Sequence, residues 1–285
     1  MSRLQRLFAP LSAVTLILAS GEFSTRTHSY PVSPSLPFQP KPLAQLNALL
    51  ESAQRADDLE RFASDPRLLI EHAIATLDPM AIRWQSMTIL QRARTDDVAF
   101  EARATLMRGP KHCARLETTL QAGGTPGRVL VVCDGVVLGR LVGGAGKETL
   151  ASSTALPTFS DSDLATLYER EKVLVANGCG GPHALLVDLK SRLLGLRFDS
   201  GLIGAIAVFR LNGSFDGERK LDSQGVGLLA PAHSCSVYLD VNTLLPVRIE
   251  WHGARGVVLE LEYRDVRLNE ALTHEQCVRA FTLSQ

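Results

Sequence analysis

The carboxy-terminal third of the chain alternates apolar and polar residues with a period of two. Val237, Leu239 and Val241 alternate with Ser236, Tyr238 and Asp240, and Val247, Ile249 and Trp251 with Arg248, Glu250 and His252. Val257, Leu259, Leu261 and Tyr263 carry the pattern on against Val258, Glu260, Glu262 and Arg264. Alternation over three consecutive segments predicts an antiparallel meander with one apolar face and one wet, charged face. The same period predicts earlier strands over residues 84–94, 98–107, 113–120, 128–133, 136–142 and 148–152, and another over 202–211. Turn signals separate them, of which Asp134-Gly135 between two Val-rich runs is the clearest hairpin.

Helical spacing takes over in three places. Leu46, Leu49, Leu50, Ala53, Leu59 and Phe62 mark a first helix, and Asp65-Pro66 caps a second carrying Leu69, Ile70, Ala73, Ile74 and Leu77. Ser160 or Asp161 caps a helix over 164–176, closed by Asn177-Gly178, and Pro182 opens the next, with Leu185, Leu186, Leu189 and Leu193. A short helix is expected over 274–279. Strands arriving in runs with helices grouped between them predict an α+β fold. One apolar face on about ten strands predicts a curved antiparallel sheet, an unclosed β-barrel, wrapped around or covered by helices.

The amino terminus reads differently. Arg3 and Arg6 precede an apolar run from Leu7 to Leu18, and Ala19-Ser20-Gly21 offers a cleavage site, so residues 1–21 are expected to be a signal peptide. The run is shorter than the ~20 residues of a membrane span; an uncleaved anchor is the alternative. Residues 22–42, rich in Pro and Ser, are expected to be a semi-rigid tether, leaving 43–285 as a single domain. Export, to the periplasm or beyond, follows from the signal.

Composition narrows the function. Lys+Arg and Asp+Glu balance at 30 each and only 6% of residues are aromatic, which excludes nucleic acid as a partner. Five cysteines in an exported chain invite disulfides. Cys113 and Cys133 lie equally far from Gly123, so a hairpin turning there would face them across neighbouring strands and predicts a disulfide, against two buried thiols. The pairing of Cys179, Cys235 and Cys277 stays open.

Candidate chemistry is sparse. Cys179 and His183, in Asn-Gly-Cys-Gly-Gly-Pro-His, have the spacing of a nucleophile and base, but no partner acid or oxyanion motif accompanies them, and a structural Cys outweighs a hydrolase. His112-Cys113, Cys179…His183, His233…Cys235 and His274…Cys277 lack the paired spacing of a zinc site, so no metal and no cofactor is expected. The glycines at 143–146 fail as a phosphate loop, because Glu148 stands where Ser or Thr is needed. Glu250, Glu260 and Glu262 alternate with apolar residues and read as a solvated face.

Val237-Tyr238-Leu239-Asp240 is followed by Thr243-Leu244-Leu245-Pro246-Val247-Arg248-Ile249, and Leu261-Glu262-Tyr263-Arg264-Asp265-Val266-Arg267-Leu268-Asn269 closes the meander. With the shorter Val132-Cys133-Asp134-Gly135 and Leu211-Asn212-Gly213-Ser214-Phe215, these segments resemble the LolA/LolB-like superfamily of exported lipoprotein carriers over about residues 45–283. It implies an unclosed β-barrel with a helical lid and an apolar cavity for acyl chains, and a basic residue near its mouth, for which Arg92, Arg94 and Arg103 are candidates. Segments 143–160 and 216–232 are long for a simple carrier.

The expectation is a non-enzymatic exported protein that holds a lipid, an acylated ligand or an apolar segment. Its cavity candidates are Val98, Phe100, Leu116, Ile206, Val208, Val237, Leu239, Ile249 and Leu259. An envelope sensor or assembly protein acting through a protein partner is the alternative.

Overall fold

The computed structural model describes residues 34–42, 61–79, 84–94, 99–122, 125–144, 147–157, 164–221, 227–269 and 274–282. The expected signal, most of the first helix and Val98 lie outside these residues. Within them, twelve strands form a single sheet. In chain order these are β1 (Phe38–Pro40), β2 (Gln85–Arg94), β3 (Ala99–Arg108), β4 (Ala114–Ala122), β5 (Thr125–Cys133) and β6 (Val137–Gly144). There follow β7 (Lys147–Ala155), β8 (Leu194–Ile203), β9 (Ile206–Leu221), β10 (Gly227–Asp240), β11 (Pro246–Gly253) and β12 (Gly256–Leu268). The helices are α1 (Pro66–Thr76), α2 (Leu164–Ala176), α3 (Gly181–Arg192) and α4 (His274–Phe281).

The strand order is β1-β8-β9-β10-β11-β12-β2-β3-β4-β5-β6-β7, every neighbour antiparallel, and the two edges do not meet. The result is the curved, unclosed α+β sheet that the alternation predicts. It forms because each hairpin keeps apolar residues in register: Leu106 lies opposite Met87 and Leu116, Leu116 opposite Val131, and Ile249 opposite Val237 and Leu261. Those side chains make the inner face, where Trp251 and Phe209 are almost fully buried. Leu69, Ile70 and Ala73 of α1 and Leu185, Leu186 and Leu189 of α3 join the same core. Each leucine-sized side chain so covered contributes about 1.5–3 kcal/mol.

Local signals set the helix ends. The Asp65 carboxylate accepts the Arg67 N–H at 3.1 Å, with Pro66 at the first helical position. α2 ends in a Schellman motif: the Cys179 N–H donates to Leu174 O and the Gly178 N–H to Val175 O, with Gly178 at φ +82°.

Three expectations need correction. The expected strand over 202–211 is the end of β8, a turn at Gly204-Ala205 and the start of β9, with Ile203 opposite Ile206. The tether does not stay off the fold, since residues 38–40 add an edge strand to β8. Pro40 is tolerated because an edge strand has a side that needs no N–H donor. Finally, Glu250 and Glu260 on the outer face are buried and not solvated. Arg92 binds Glu260, Glu262 and Glu101, while Arg248 Nη1 reaches Glu250 and also donates to Leu36 O at 2.8 Å. Alternation identifies the face a side chain takes, but charges that pair across four strands shield each other from water.

The amino-terminal strap closes over this network. The Phe38 ring lies 5.5 Å from that of Tyr238 and 4.2 Å under the Arg210 guanidinium, above a small cluster of Ile203, Val208 and Tyr238. Gly201 makes the fit possible, because a Cβ there would run into Gln39 O and the Phe38 ring. Gly201→Val should therefore free residues 34–42 to protease and to amide exchange while the circular dichroism of the sheet persists. Unchanged protection of the strap would contradict this.

Candidate functional site

The inner face is the candidate site, and its residues divide by strand register. Leu116, Val237, Leu239, Ile249 and Leu259 lie on it and are buried. Phe100 pairs with Ala93, which belongs to the core on that face. Ile206 and Val208 do not: both point to the outer side, Ile206 44% exposed and Val208 beneath the strap beside Tyr238. Arg210 and Asn212 follow Val208 at period two and bond outward to Asp199, so their polarity marks that face. The inward residues of β9 are Phe209 and Leu211.

The thiols differ from expectation too. Cys113 and Cys133 are not joined by a disulfide. Ala122 pairs with Thr125, so the hairpin is symmetric about the bond between residues 123 and 124, and Ala114, not Cys113, stands opposite Cys133. A one-residue change of register separates groups that would otherwise meet.

Cys179 sits in the link between α2 and α3, pressed on the sheet. A Cβ on Gly181 would meet Leu106 Cδ2 at 2.8 Å, and one on Gly178 would meet Leu116 Cδ2 at 3.1 Å. The glycines of Asn-Gly-Cys-Gly-Gly thus let backbone approach the wall. Burial pushes the Cys179 thiol up to about 12, the opposite of an activated nucleophile, and its Sγ lies 4.0 Å from Asn177 O. Burial also lowers the pKa of His183. On the outer face Ser236 Oγ lies 2.8 Å from His252 Nε2, yet Glu250 approaches that same nitrogen at 3.6 Å. A relay needs the acid on the other ring nitrogen, and the Ser236 hydroxyl donates instead to Asn212 Oδ1 at 2.7 Å. No group of three His, Cys, Asp or Glu side chains is placed to hold a metal among the described residues.

No known protein family matches the sequence. No curated protein matches it. Solved structures do. The crystal structure of LprF from Mycobacterium bovis is similar over 74% of this chain and 96% of that one, at 7% identity and a TM-score of 0.44. The LolA superfamily protein NE2245 from Nitrosomonas europaea is similar over 75% and 97%, at 11% identity and a TM-score of 0.29. MucB is similar over 80% of this chain and 63% of its own, at 12% identity and a TM-score of 0.33, so the match takes in less than two thirds of MucB.

The arginines expected near the mouth take other places. Arg92 is buried in the outer network, and Arg94 and Arg103 are exposed on the outer side of β2 and β3. Two different arginines stand on the inner face. Arg108, at the end of β3, forks onto Glu171 of α2, with Nη1 to Oε1 at 2.8 Å and Nη2 to Oε2 at 2.5 Å. Arg140, on β6, lies between Leu138 and Val142 along its strand and opposite Val131, and it is 8% exposed. The sequence carried that signal: Leu138, Arg140 and Val142 share one parity of a hairpin whose turn is Asp134-Gly135.

Helix α2 is held to the wall mainly by polar contacts. Of its side chains from 167 to 176, Leu174 alone is deeply buried. Arg108 grips Glu171, while Arg170 donates to Gly135 O at 2.8 Å and to Pro157 O at 2.9 Å. Burial acts to raise the Glu171 pKa, but hydrogen bonds and charge from His112 and Arg108 outweigh it and hold the carboxyl at about 2. A carboxyl depressed from 4.5 to about 2 contributes stability that is complete above its unfolded value and is lost as pH falls toward 2. That contribution is roughly 3 kcal/mol. Urea unfolding at pH 5 and pH 2.5 should show Glu171→Gln losing less stability between the two than the wild type does; parallel losses would remove Glu171 from this role. Thiol labelling at pH 8 should leave Cys179, Cys235 and Cys133 unmodified until denaturant is added, and rapid native labelling of Cys179 would overturn its assignment as core.

Proposed function

We propose that this is an exported, non-enzymatic binding protein that holds an acyl chain or an apolar segment between the inner face and α2. The observation that carries the reading is the mismatch between wall and roof. The wall is largely apolar, whereas α2 is fastened to its rim by Arg108–Glu171 and Arg170 and, among its described side chains, buries Leu174 and packs Val173. A roof fastened by a few exchangeable polar bonds can lift without dismantling a core. An acyl chain entering beneath it gains about 0.8 kcal/mol per CH₂ removed from water. Leu116, which the end of α2 approaches at Gly178, is the wall residue assigned to the ligand, with Val131 opposite it; Val237, Leu239, Ile249 and Leu259, on the late strands, belong to the packed core.

Export is part of the proposal, supported by the charged, apolar and small-residue order of residues 1–21. No helix among the described residues is long and apolar enough to cross a membrane. One observation favours a second reading, in which a protein partner is the ligand. Strand β7 is an edge of the described sheet, and Leu150 on it is 60% exposed, so an extended segment could add to the sheet there.

The test is native mass spectrometry of full-length protein purified from a membrane fraction, followed by titration with hexadecanol read through tryptophan emission. The expected result is a bound acyl-lipid mass and saturable uptake of hexadecanol by stripped protein. Protein that carries no lipid and takes up no hexadecanol would refute the acyl-chain reading and leave the β7 edge as the working surface.

A further inference from the structure

Four arginines are buried among the described residues: Arg92, Arg108, Arg140 and Arg248. Three face carboxylates, Arg92 with Glu260 and Glu262, Arg108 with Glu171, and Arg248 with Glu250. Arg140 makes no hydrogen bond or ion pair to any described residue, and its Nε and Nη2 are buried without a partner. A guanidinium stays protonated wherever it is placed, so this is an uncompensated positive charge set in an apolar wall. Among the described residues, each of the other three buried arginines has a counter-charge and Arg140 alone does not.

We propose that Arg140 is an anion receptor within the inner wall, taking the carboxylate or phosphate of an amphiphile whose apolar chain lies across Val131 and Leu138 toward Leu116. Three features define the ligand class. The guanidinium fork matches planar carboxylate and phosphate oxygens with paired hydrogen bonds. The flanking Leu138, Val142 and Val131 are apolar, so the group attached to the anion is apolar as well. Arg140 is one strand in from β7, directly opposite Ser152, and Ser152, Ser153 and Thr154 are exposed small side chains on the last strand of the described sheet. The ligand's charged end therefore enters over β7, and its chain runs inward under α2.

This assignment deepens the acyl-chain reading and rests on it, and the probes separate the two. Full-length protein is titrated with hexadecanoate, hexadecyl phosphate, hexadecanol and inorganic phosphate, for the wild type, Arg140→Gln and Arg140→Met. The wild type is expected to bind the two anionic amphiphiles at least about tenfold more tightly than hexadecanol, the range of a charge-assisted hydrogen bond. Both substitutions should reduce that ratio to about one and leave hexadecanol binding in place. Removing an unpaired buried charge should also raise the melting temperature of both variants by several degrees, which shows that lost preference is not lost folding. Equal wild-type affinity for hexadecanoate and hexadecanol, or a preference that survives both substitutions, overturns the anion receptor and spares the acyl-chain reading. Arg140-dependent binding of inorganic phosphate as tight as that of hexadecyl phosphate upholds an anion site and overturns the lipid as its source. No binding of any of the four probes to the wild type overturns both.

Discussion

The rest of the structure follows from one requirement, that a sheet with all its apolar side chains on one side must cover that side. Eleven pairings hold the twelve described strands in register, and several set apolar side chains inward beside one another, as Leu106 with Leu116, Leu116 with Val131 and Val237 with Ile249. A twisted surface of that breadth curves, and curvature gives the helices a concave bed. α1 and α3 lie on the half formed by the late strands and are themselves part of the core, through Leu69, Ile70, Leu186 and Leu189. α2 is attached otherwise, by an arginine fork and two carbonyls at the rim. The same wall is therefore sealed by packing at one end and latched by polar contacts at the other.

Charge placement repeats that division. On the outer side, Arg92, Arg248, Glu250 and Glu260 are buried together, and the amino-terminal strap closes over Tyr238 and the Arg248 contact. Opposite charges there compensate one another across strands, so the network needs nothing from outside. On the inner side, Arg108 is compensated from α2, and its grip on Glu171 depends on the carboxyl staying ionised. Arg140 has no such partner among the described residues, on a stretch of wall between the polar latch and the edge strand β7. A latch, a lone cation and an edge strand thus lie together on one flank of the described sheet.

Much of this was legible in residue order. The hairpin strands, the Asp65 cap, the closure of α2 at Asn177-Gly178 and the inward placement of Leu116, Val237, Leu239, Ile249 and Leu259 follow from period, turn chemistry and capping. Each miss has a physical source. Ile206-Ala207-Val208-Phe209 is apolar at both parities, so only Arg210 and Asn212 indicate which face Val208 takes. The expected Cys113–Cys133 bridge turned on whether the hairpin centres on Gly123 or on the following bond, a difference of half a residue that decides a whole residue of register. Arg140 is charged, and a charged strand residue is expected on the wet face, although its parity with Leu138 and Val142 places it on the dry one.

The sequence by itself determined which segments are strands and helices, which of their sides are apolar, and that helices must roof the sheet. Those properties depend on neighbours a few residues apart, where backbone geometry alone relates one side chain to the next. Tertiary structure decided which charges are neutralised and which are not. Arg92 meets Glu260 across 168 residues, Arg248 reaches Leu36 O across 212, and Arg140 meets no one among the described residues. Pairing between residues so far apart depends on strand order and on what lies over each face, and an alternating pattern is the same whichever strand comes to lie beside it.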